Sequence, residues 1–281
     1  MNAGTISTAG LSLMNHHMLA LVIAMAGACT ASLAAQAPQP LENAHAHNDY
    51  LQEHPLFDAL DHGFTSIEAD IFLVDGELLV GHDRDELKAH RTLESLYLRP
   101  LARRVQQQDG RVYETGERFL LLIDIKSDAL DTYRHLEKVL LRHADMLTSV
   151  EDDVVRRGGV TVVITGARPS AAMLKANPRY AALDGRISDL DGGAKAHLMP
   201  MISDDWTAHF SWNGDGPMPA DERARLHEIV RKAHAAGRAV RFWATPEREA
   251  VWTELRACGV DLIGTDDLDR LARFLRAFEE R

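Results

Sequence analysis

Short apolar runs alternate with amphipathic segments along most of the chain. The runs are too short for helices and are typical of strands that are buried on both faces. We predict eight strands, over residues 41–47, 65–72, 119–126, 160–165, 183–187, 198–202, 239–244 and 260–264. An apolar return segment through Asp75 and Gly76 to Val80 extends the second strand as a hairpin. A helical period predicts helices over residues 55–62, 92–107, 129–146, 170–176, 221–236, 247–257 and 267–278.

The regular alternation of strand and helix predicts a parallel sheet with helices on its faces. Eight strands within one domain favour a closed barrel over an open doubly wound sheet, and about 250 residues is typical of such a barrel. A dinucleotide-binding fold is disfavoured because no glycine-rich fingerprint follows the first strand. The sequence therefore predicts a single α/β domain, a (β/α)8 TIM barrel, over residues 38–281.

The first 37 residues have a different character. Residues 19–27 form an apolar core, and Ala35-Gln36-Ala37 fits the small-x-small pattern of a cleavage site. We predict a signal peptide over residues 1–37 and export of the mature domain to the periplasm or the exterior. A lipidated Cys29 is the weaker alternative, since no large aliphatic residue lies three positions before it. The apolar core is shorter than the roughly 20 residues of a membrane span, so we expect no stable span.

Charge and cysteine content narrow the function classes further. The net charge is −11, and the first 37 residues contain no Lys, Arg, Asp or Glu, so the mature domain keeps it. An acidic domain without a basic run is a poor candidate for binding nucleic acid or anionic lipid surfaces. Cleavage would leave Cys258 as the domain's single cysteine, which excludes an intrachain disulfide. The oligomeric state does not follow from the sequence.

Carboxylates follow two neighbouring predicted strands. Glu68 and Asp70 are two residues apart in an apolar run, so their side chains point to the same side of the strand. Like charges that close repel each other unless a cation lies between them. Asp124 and Lys126 share one face of the third strand. Three carboxylates without a cysteine favour Mg²⁺ or Ca²⁺ over Zn²⁺. A solvent-facing strand and an internal Asp124–Lys126 ion pair are the alternatives.

Further polar and aromatic side chains follow strand ends, where reactive groups of TIM barrels gather. His47 and Asn48 follow the first strand, and His82 ends the return segment of the second. Arg168 follows the fourth strand and Trp243 ends the seventh. We interpret all five as candidates for the same barrel mouth.

This ordered set of residues resembles the phospholipase C-like phosphodiesterase superfamily, which includes glycerophosphodiester phosphodiesterases and sphingomyelinase D-like enzymes. The closer likeness is to the family of altered inheritance of mitochondria protein 6-like proteins. The segments that carry it are His47-Asn48-Asp49-Tyr50, Glu68-Ala69-Asp70, residues 78–83, Asp124-Ile125-Lys126, Arg241-Phe242-Trp243 and residues 265–268.

The resemblance implies metal-dependent attack on the phosphorus of a small-molecule or lipid phosphodiester, such as a glycerophosphodiester or a lysophospholipid. By position it implies that one divalent cation is held by three carboxylates, those of Glu68, Asp70 and Asp124. It implies that His47 and His82 are the acid–base pair, that Lys126 meets a phosphate oxygen, and that Trp243 lines the pocket.

The chain departs from the glycerophosphodiesterase pattern in three ways: at Asn48, at Asp124, where those enzymes usually have Glu, and in lacking their insertion after the second strand's histidine. Asn48 stands where glycerophosphodiesterases usually carry an arginine, so a positive charge that would bind the phosphate is missing. Arg168 is our candidate for supplying it, and an ordinary surface arginine is the alternative. Asn48 itself would then contact substrate as an uncharged group.

Two other functions fit parts of the sequence. His45-Ala46-His47 has the spacing of an amidohydrolase-type metal site, with Asp266 as its acid, although later strand ends offer few histidines. A non-catalytic exported binding protein on the same fold is the second alternative, because a fold does not determine a function.

Overall fold

The computed structural model describes residues 38–279. The predicted signal peptide over residues 1–37, including Cys29, lies outside the described residues. The strands are β1 Leu41–Ala46, β2 Phe64–Val74, β3 Glu77–Val80, β4 Phe119–Ile125, β5 Ser149–Glu151, β6 Val154–Arg156, β7 Val160–Gly166, β8 Ala181–Gly185, β9 Met201–Asp205, β10 Ala239–Trp243 and β11 Leu262–Thr265. The α-helices are α1 Phe57–Asp61, α2 Arg99–Gln107, α3 Ala129–Leu141, α4 Ser170–Met173, α5 Trp206–His209, α6 Ala220–Ala235, α7 Glu249–Ala257 and α8 Leu268–Glu279.

Eight of the strands form a closed parallel barrel. They follow one another in the order β1, β2, β4, β7, β8, β9, β10 and β11, and β1 pairs with both β2 and β11. The (β/α)8 TIM-barrel prediction is therefore confirmed, with all eight predicted strands in the wall. The predicted return segment is β3, which pairs antiparallel with the outer part of β2.

Several boundaries differ from those predicted, each for a local reason. The predicted helix over residues 92–107 divides into a π-helical turn, Glu94–Leu98, and α2, because Pro100 has no N–H to continue one hydrogen-bond ladder. The predicted helix over residues 129–146 ends at Leu141 and resumes as a 3₁₀ turn, Ala144–Met146. The small β5–β6 hairpin was not predicted, since its second strand is exposed and shows no alternation.

The fifth and sixth barrel strands are displaced along the sequence from their predicted positions. β8 ends at Gly185 and not at residue 187, so Arg186 leaves the strand and enters the loop at the mouth. β9 begins at Met201 and includes Asp204 and Asp205, which lie beyond the end of the predicted strand at residue 202. Both displacements change which polar side chains face the barrel mouth.

The barrel interior is apolar at its floor and polar at its mouth. A separate buried cluster forms the floor, from Leu120, Leu122, Val163, Ala182, Met201 and Leu262. Because side chains alternate along a strand, Leu120, Leu122 and Asp124 of β4 share one face. The same period carries Glu68 and Asp70 of β2 inward, and it places their carboxylates above the apolar floor.

A larger apolar layer lies between the barrel and its helices, and it includes the fully buried Phe64, Trp206 and Trp252. Within residues 38–279 there is no helix whose length and hydropathy would allow it to cross a bilayer.

We predict that Phe64→Ala destabilises the fold by about 3–5 kcal/mol, because it empties a fully buried site on β2. Phe57→Ala is the matched control, since that side chain is 51% exposed, and we expect a change within about 0.5 kcal/mol. Urea denaturation of both variants measures the difference. Equal losses at the two positions would contradict this description of the core.

Candidate active site

Three carboxylates meet at the carboxyl ends of β2 and β4. Glu68 and Asp70 come from β2, and Asp124 of β4 lies directly beside Asp70 in the parallel register. One oxygen from each of the three carboxylates lies within 4.8 Å of the other two. The structure thus brings together the three residues that the sequence indicated as cation ligands.

The two aspartates are only partly compensated by protein groups. Lys126 Nζ lies 3.2 Å from Asp70 Oδ2 and 3.6 Å from Asp124 Oδ2, and the Tyr50 hydroxyl donates to Asp70 Oδ2 at 2.8 Å. Their other oxygens, Asp70 Oδ1 and Asp124 Oδ1, are buried without a hydrogen-bond partner. Burial raises the pKa of both carboxyls, that of Asp124 to about 6, although the charge of Lys126 opposes the shift.

The negative charge of Glu68 is balanced more completely by neighbouring groups. Burial alone would raise its pKa, but the charge of Arg241, which donates to Glu68 Oε2, holds the pKa well below its usual range. His45 Nε2 lies 3.0 Å from the same oxygen, while its Nδ1 lies 2.8 Å from Ser66 Oγ. Burial and Arg241 lower the pKa of His45 to about 4, so the ring is neutral near pH 7. His45 therefore supports Glu68 from within the barrel and does not line the mouth.

Gly166 leaves room beside the partnerless oxygen of Asp124. Its φ is +67°, and a Cβ atom there would lie 2.0 Å from Asp124 Oδ1 and 2.7 Å from the Ile125 carbonyl. The space next to the carboxylate thus depends on the absence of a side chain at this position.

The donor set fits a hard divalent cation. Two buried carboxylate oxygens lack partners, and leaving buried charged groups unpaired is costly. Three carboxylates also exceed the two cations that contact them, Lys126 and Arg241. Oxygen ligands without sulfur are those that Mg²⁺ and Ca²⁺ prefer. The cluster can therefore hold one such ion.

Two histidines face this cluster across one cavity of about 450 Å³. His47 follows β1, and its Nδ1 lies 2.9 Å from Asp266 Oδ1. Burial lowers the pKa of His47, but the bond to Asp266 and the charge of Glu68 outweigh it, so the pKa is raised. His82 follows β3, with Nδ1 3.1 Å from Asp83 Oδ2. The hairpin return of β3 along β2 is what brings His82 beside the carboxylates.

The remaining wall contains Asn48, Trp243, Arg186 and Arg241. Asn48 has a left-handed backbone, which asparagine tolerates well, and its side-chain amide lies 3.0 Å from the Tyr50 hydroxyl. Arg186 and Trp243 are in contact, with the guanidinium carbon 4.7 Å from the centroid of the indole ring.

Arg168 does not line this cavity. Its Nη1 donates to the Asp184 carbonyl and lies 3.8 Å from Asp189 Oδ2, in the loop behind Arg186. The role of Arg168 in substrate binding stays a prediction, and the structure places Arg186 at the cavity wall instead.

Sequence reasoning missed Arg186 and Arg241 as site residues. A signal for Arg241 was present, because it lies two residues before Trp243 in an apolar strand and so shares its face. Arg186 had no such signal, since the fifth strand was placed through residue 187. Asp184, which is fully buried and bonded to Thr165, Arg186 and Ser203, lies inside both the predicted strand and β8, and its partners become visible only in the closed barrel.

Comparisons with known proteins agree with this geometry. The model of the AIM6-like phosphodiesterase domain matches residues 37–183, and that of the glycerophosphoryl diester phosphodiesterase family matches residues 239–269. The chain is 30% identical over 259 residues to altered inheritance of mitochondria protein 6 homolog from Arthroderma benhamiae, covering 80% of this chain and 81% of the relative. It is 31% identical over 270 residues to altered inheritance of mitochondria protein 6 from Eremothecium gossypii, covering 83% and 69%.

A solved structure shares the fold. The glycerophosphodiester phosphodiesterase from Parabacteroides distasonis superposes with a TM-score of 0.50 at 12% identity, covering 86% of this chain and 99% of that one. At this identity the likeness bears on the barrel fold alone.

We predict that Gly166→Ala destabilises the protein more than the same change at Gly76. Both glycines have positive φ, so both variants carry backbone strain of about 1 kcal/mol. A methyl group at Gly76 meets nothing within 4 Å, whereas at Gly166 it must displace the Asp124 carboxylate and adjacent backbone. Urea denaturation compares the two. Indistinguishable losses would show that Gly166 is not constrained by Asp124.

Proposed function

The chain belongs to the AIM6-like phosphodiesterase family. We therefore propose that it cleaves phosphodiesters at the barrel mouth with the help of one divalent cation. The observation that carries the proposal is the pair of partnerless buried oxygens, Asp70 Oδ1 and Asp124 Oδ1, beside Glu68. They lie beneath a cavity that has a histidine on each side, His47 and His82. Two histidines in the same cavity as the carboxylates favour acid–base catalysis over a binding role.

Glu68, Asp70 and Asp124 would hold the cation. When bound, a divalent cation neutralises charge that develops on the non-bridging oxygens of a phosphodiester. Lys126 lies against the same carboxylates and also lines the cavity, so its ammonium group is within reach of a phosphate oxygen. Arg241 holds Glu68 ionised, and His45 supports the same oxygen from below.

Proton transfer is assigned to the two histidines. We assign His47 as the acid that protonates the leaving alcohol, because Asp266 stabilises its charged form. His82 takes the proton of the attacking hydroxyl as that oxygen bonds to phosphorus. The hydroxyl belongs either to water or to the substrate itself. Phosphorus NMR of the products separates these cases, since attack by a substrate hydroxyl gives a cyclic phosphate.

The cation requirement is the direct test. We expect turnover of at least one diester in a panel of glycerophosphodiesters, lysophospholipids and sphingomyelin with Mg²⁺ or Ca²⁺ present, and its loss after chelation. Asp124→Asn should lower kcat/KM more than about 100-fold, the upper end for residues that only support metal ligands. The matched control is Asp191→Asn, an aspartate that is 88% exposed and ion-paired with Lys232, which should keep the wild-type rate.

His82→Ala belongs in the same assay. His82 is half exposed in a loop, so we expect the variant to fold normally and to lose turnover. Full activity after exhaustive chelation would exclude the cation, and near-normal rates for His82→Ala would remove that residue from the mechanism.

The charge of Asp266 gives a pH test. Its hydrogen bond raises the pKa of His47, so Asp266→Asn should lower that pKa. An acid with a lower pKa loses its proton at lower pH, and the alkaline limb of kcat/KM should therefore move to lower pH. Asp58→Asn is the control, because Asp58 forms a similar pair with His54 outside the cavity. The pKa of His47 measured by NMR titration and the alkaline limb of the pH–rate profile should shift together. A profile that does not shift would rule out His47 as the acid.

A further inference from the structure

The cavity has a second polar half that faces the carboxylate cluster. The cluster comes from β2 and β4, with His47 after β1, whereas Arg186 follows β8 and Trp243 ends β10. In the barrel order these last two strands lie on the opposite side of the mouth from β2. This half takes no part in the proposed proton transfers, so its chemistry bears on what else the substrate carries.

Arg186 is held rigidly but has unused donors. Its Nη1 lies 2.9 Å from Asp184 Oδ2 and 3.0 Å from the Gly185 carbonyl, and the Ser203 carbonyl is 3.5 Å away. Asp184 is fully buried, which anchors the guanidinium in one place. A guanidinium has five N–H donors, and Nε and Nη2 of Arg186 have no partner among residues 38–279. A fixed fork of free donors at a cavity wall suits an anionic group.

The other two cations of the cavity are already paired. Lys126 lies between Asp70 and Asp124, and Arg241 donates to Glu68. Arg186 is itself paired with the buried Asp184, so Lys126 and Arg241 leave the three carboxylates of the cluster with one uncompensated negative charge. A divalent cation would add two positive charges, and a phosphodiester brings only one negative charge. The loaded cluster would then be neutral, and the unused donors of Arg186 are the part of this wall that can bind a further anionic group.

Trp243 is the aromatic group that could have accepted a quaternary ammonium headgroup. Its ring is already covered on one face by the Arg186 guanidinium, 4.7 Å from the centroid. The Arg186 guanidinium already makes the cation–π contact on that face, and its positive charge repels a second cation nearby. A choline group would thus meet a positive charge where it needs an aromatic face.

We propose that Arg186 makes this site select phosphodiesters whose second alcohol carries an anionic group, and that it disfavours choline esters. The inference rests on the proposed function, and it adds a substrate class to it.

The test uses three p-nitrophenyl phosphodiesters that share one leaving group. Their second alcohols are choline, 2-methoxyethanol and 3-hydroxypropionate, which are cationic, neutral and anionic and leave no free hydroxyl on the ester that could attack phosphorus. We expect kcat/KM of the wild-type protein to be at least about tenfold higher for the anionic ester than for the choline ester. In Arg186→Gln this ratio should fall toward one, and in Arg186→Lys it should be intermediate, because an ammonium group lacks the planar fork.

Two controls keep the test decisive. Arg225→Gln removes an arginine that donates to the His209 carbonyl on the protein surface, and it should leave the ratio unchanged. Arg186→Lys retains a cation for the buried Asp184, so it remains informative if Arg186→Gln does not fold. The same preference is also measured as binding, by calorimetry with 3-phosphonopropionate and phosphocholine in the presence of Mg²⁺ or Ca²⁺.

The outcomes separate the two proposals. A wild-type preference for the choline ester, or a ratio that neither Arg186 variant changes, overturns the role of Arg186 while leaving the phosphodiesterase proposal intact. Absence of turnover for all three esters counts against the proposed function. The binding preference then decides this inference by itself, and equal or tighter binding of phosphocholine would refute it.

Discussion

The structure depends on the burial of like charges at the top of a closed barrel. Glu68, Asp70 and Asp124 point inward from two adjacent strands, and no parallel sheet tolerates three bare carboxylates at this depth without compensation. The protein compensates them unequally. Glu68 receives Arg241 and His45, whereas Asp70 and Asp124 share one lysine and each retain a buried oxygen without a partner. A cation would bind at Asp70 and Asp124, whose charges the protein balances only in part.

The barrel provides the geometry through its register. Asp70 lies beside Asp124 because β2 and β4 pair without a shift over six positions, from Ser66 to Ile71. Sliding either strand by one residue would turn its carboxylates outward and its apolar residues inward. The apolar floor below the site and the layer between barrel and helices hold that register, so the core fixes the spacing of the charged groups. The geometry of the candidate site and the stability of the fold therefore depend on the same strand pairing.

Local patterns in the sequence were enough to find residues that follow the strand period. Glu68 and Asp70 stood out because charged residues at positions i and i+2 of an apolar run are expensive unless they serve a purpose, and the eight strands followed from their apolar runs. Arg186 could not be found in this way. Its role depends on where β8 ends, and a difference of two residues decides whether its side chain lies in the strand or in the loop at the mouth. Pairings between distant segments, such as Arg241 with Glu68, appear only once the barrel closes.

The position of positive charge separates this cavity from the pattern of the glycerophosphodiesterases it resembles. Those enzymes usually carry an arginine after the first strand, where this chain has Asn48 in a left-handed conformation bonded to Tyr50. The guanidinium with unused donors in this cavity is that of Arg186, in the loop after the fifth barrel strand, where Asp184 holds it against Trp243. A cation on the far wall would contact a different part of a bound diester from one beside His47. The chemistry at phosphorus can therefore be shared across the family while the recognised alcohol differs, because the strands that hold the carboxylates are separate from those that present Arg186 and Trp243.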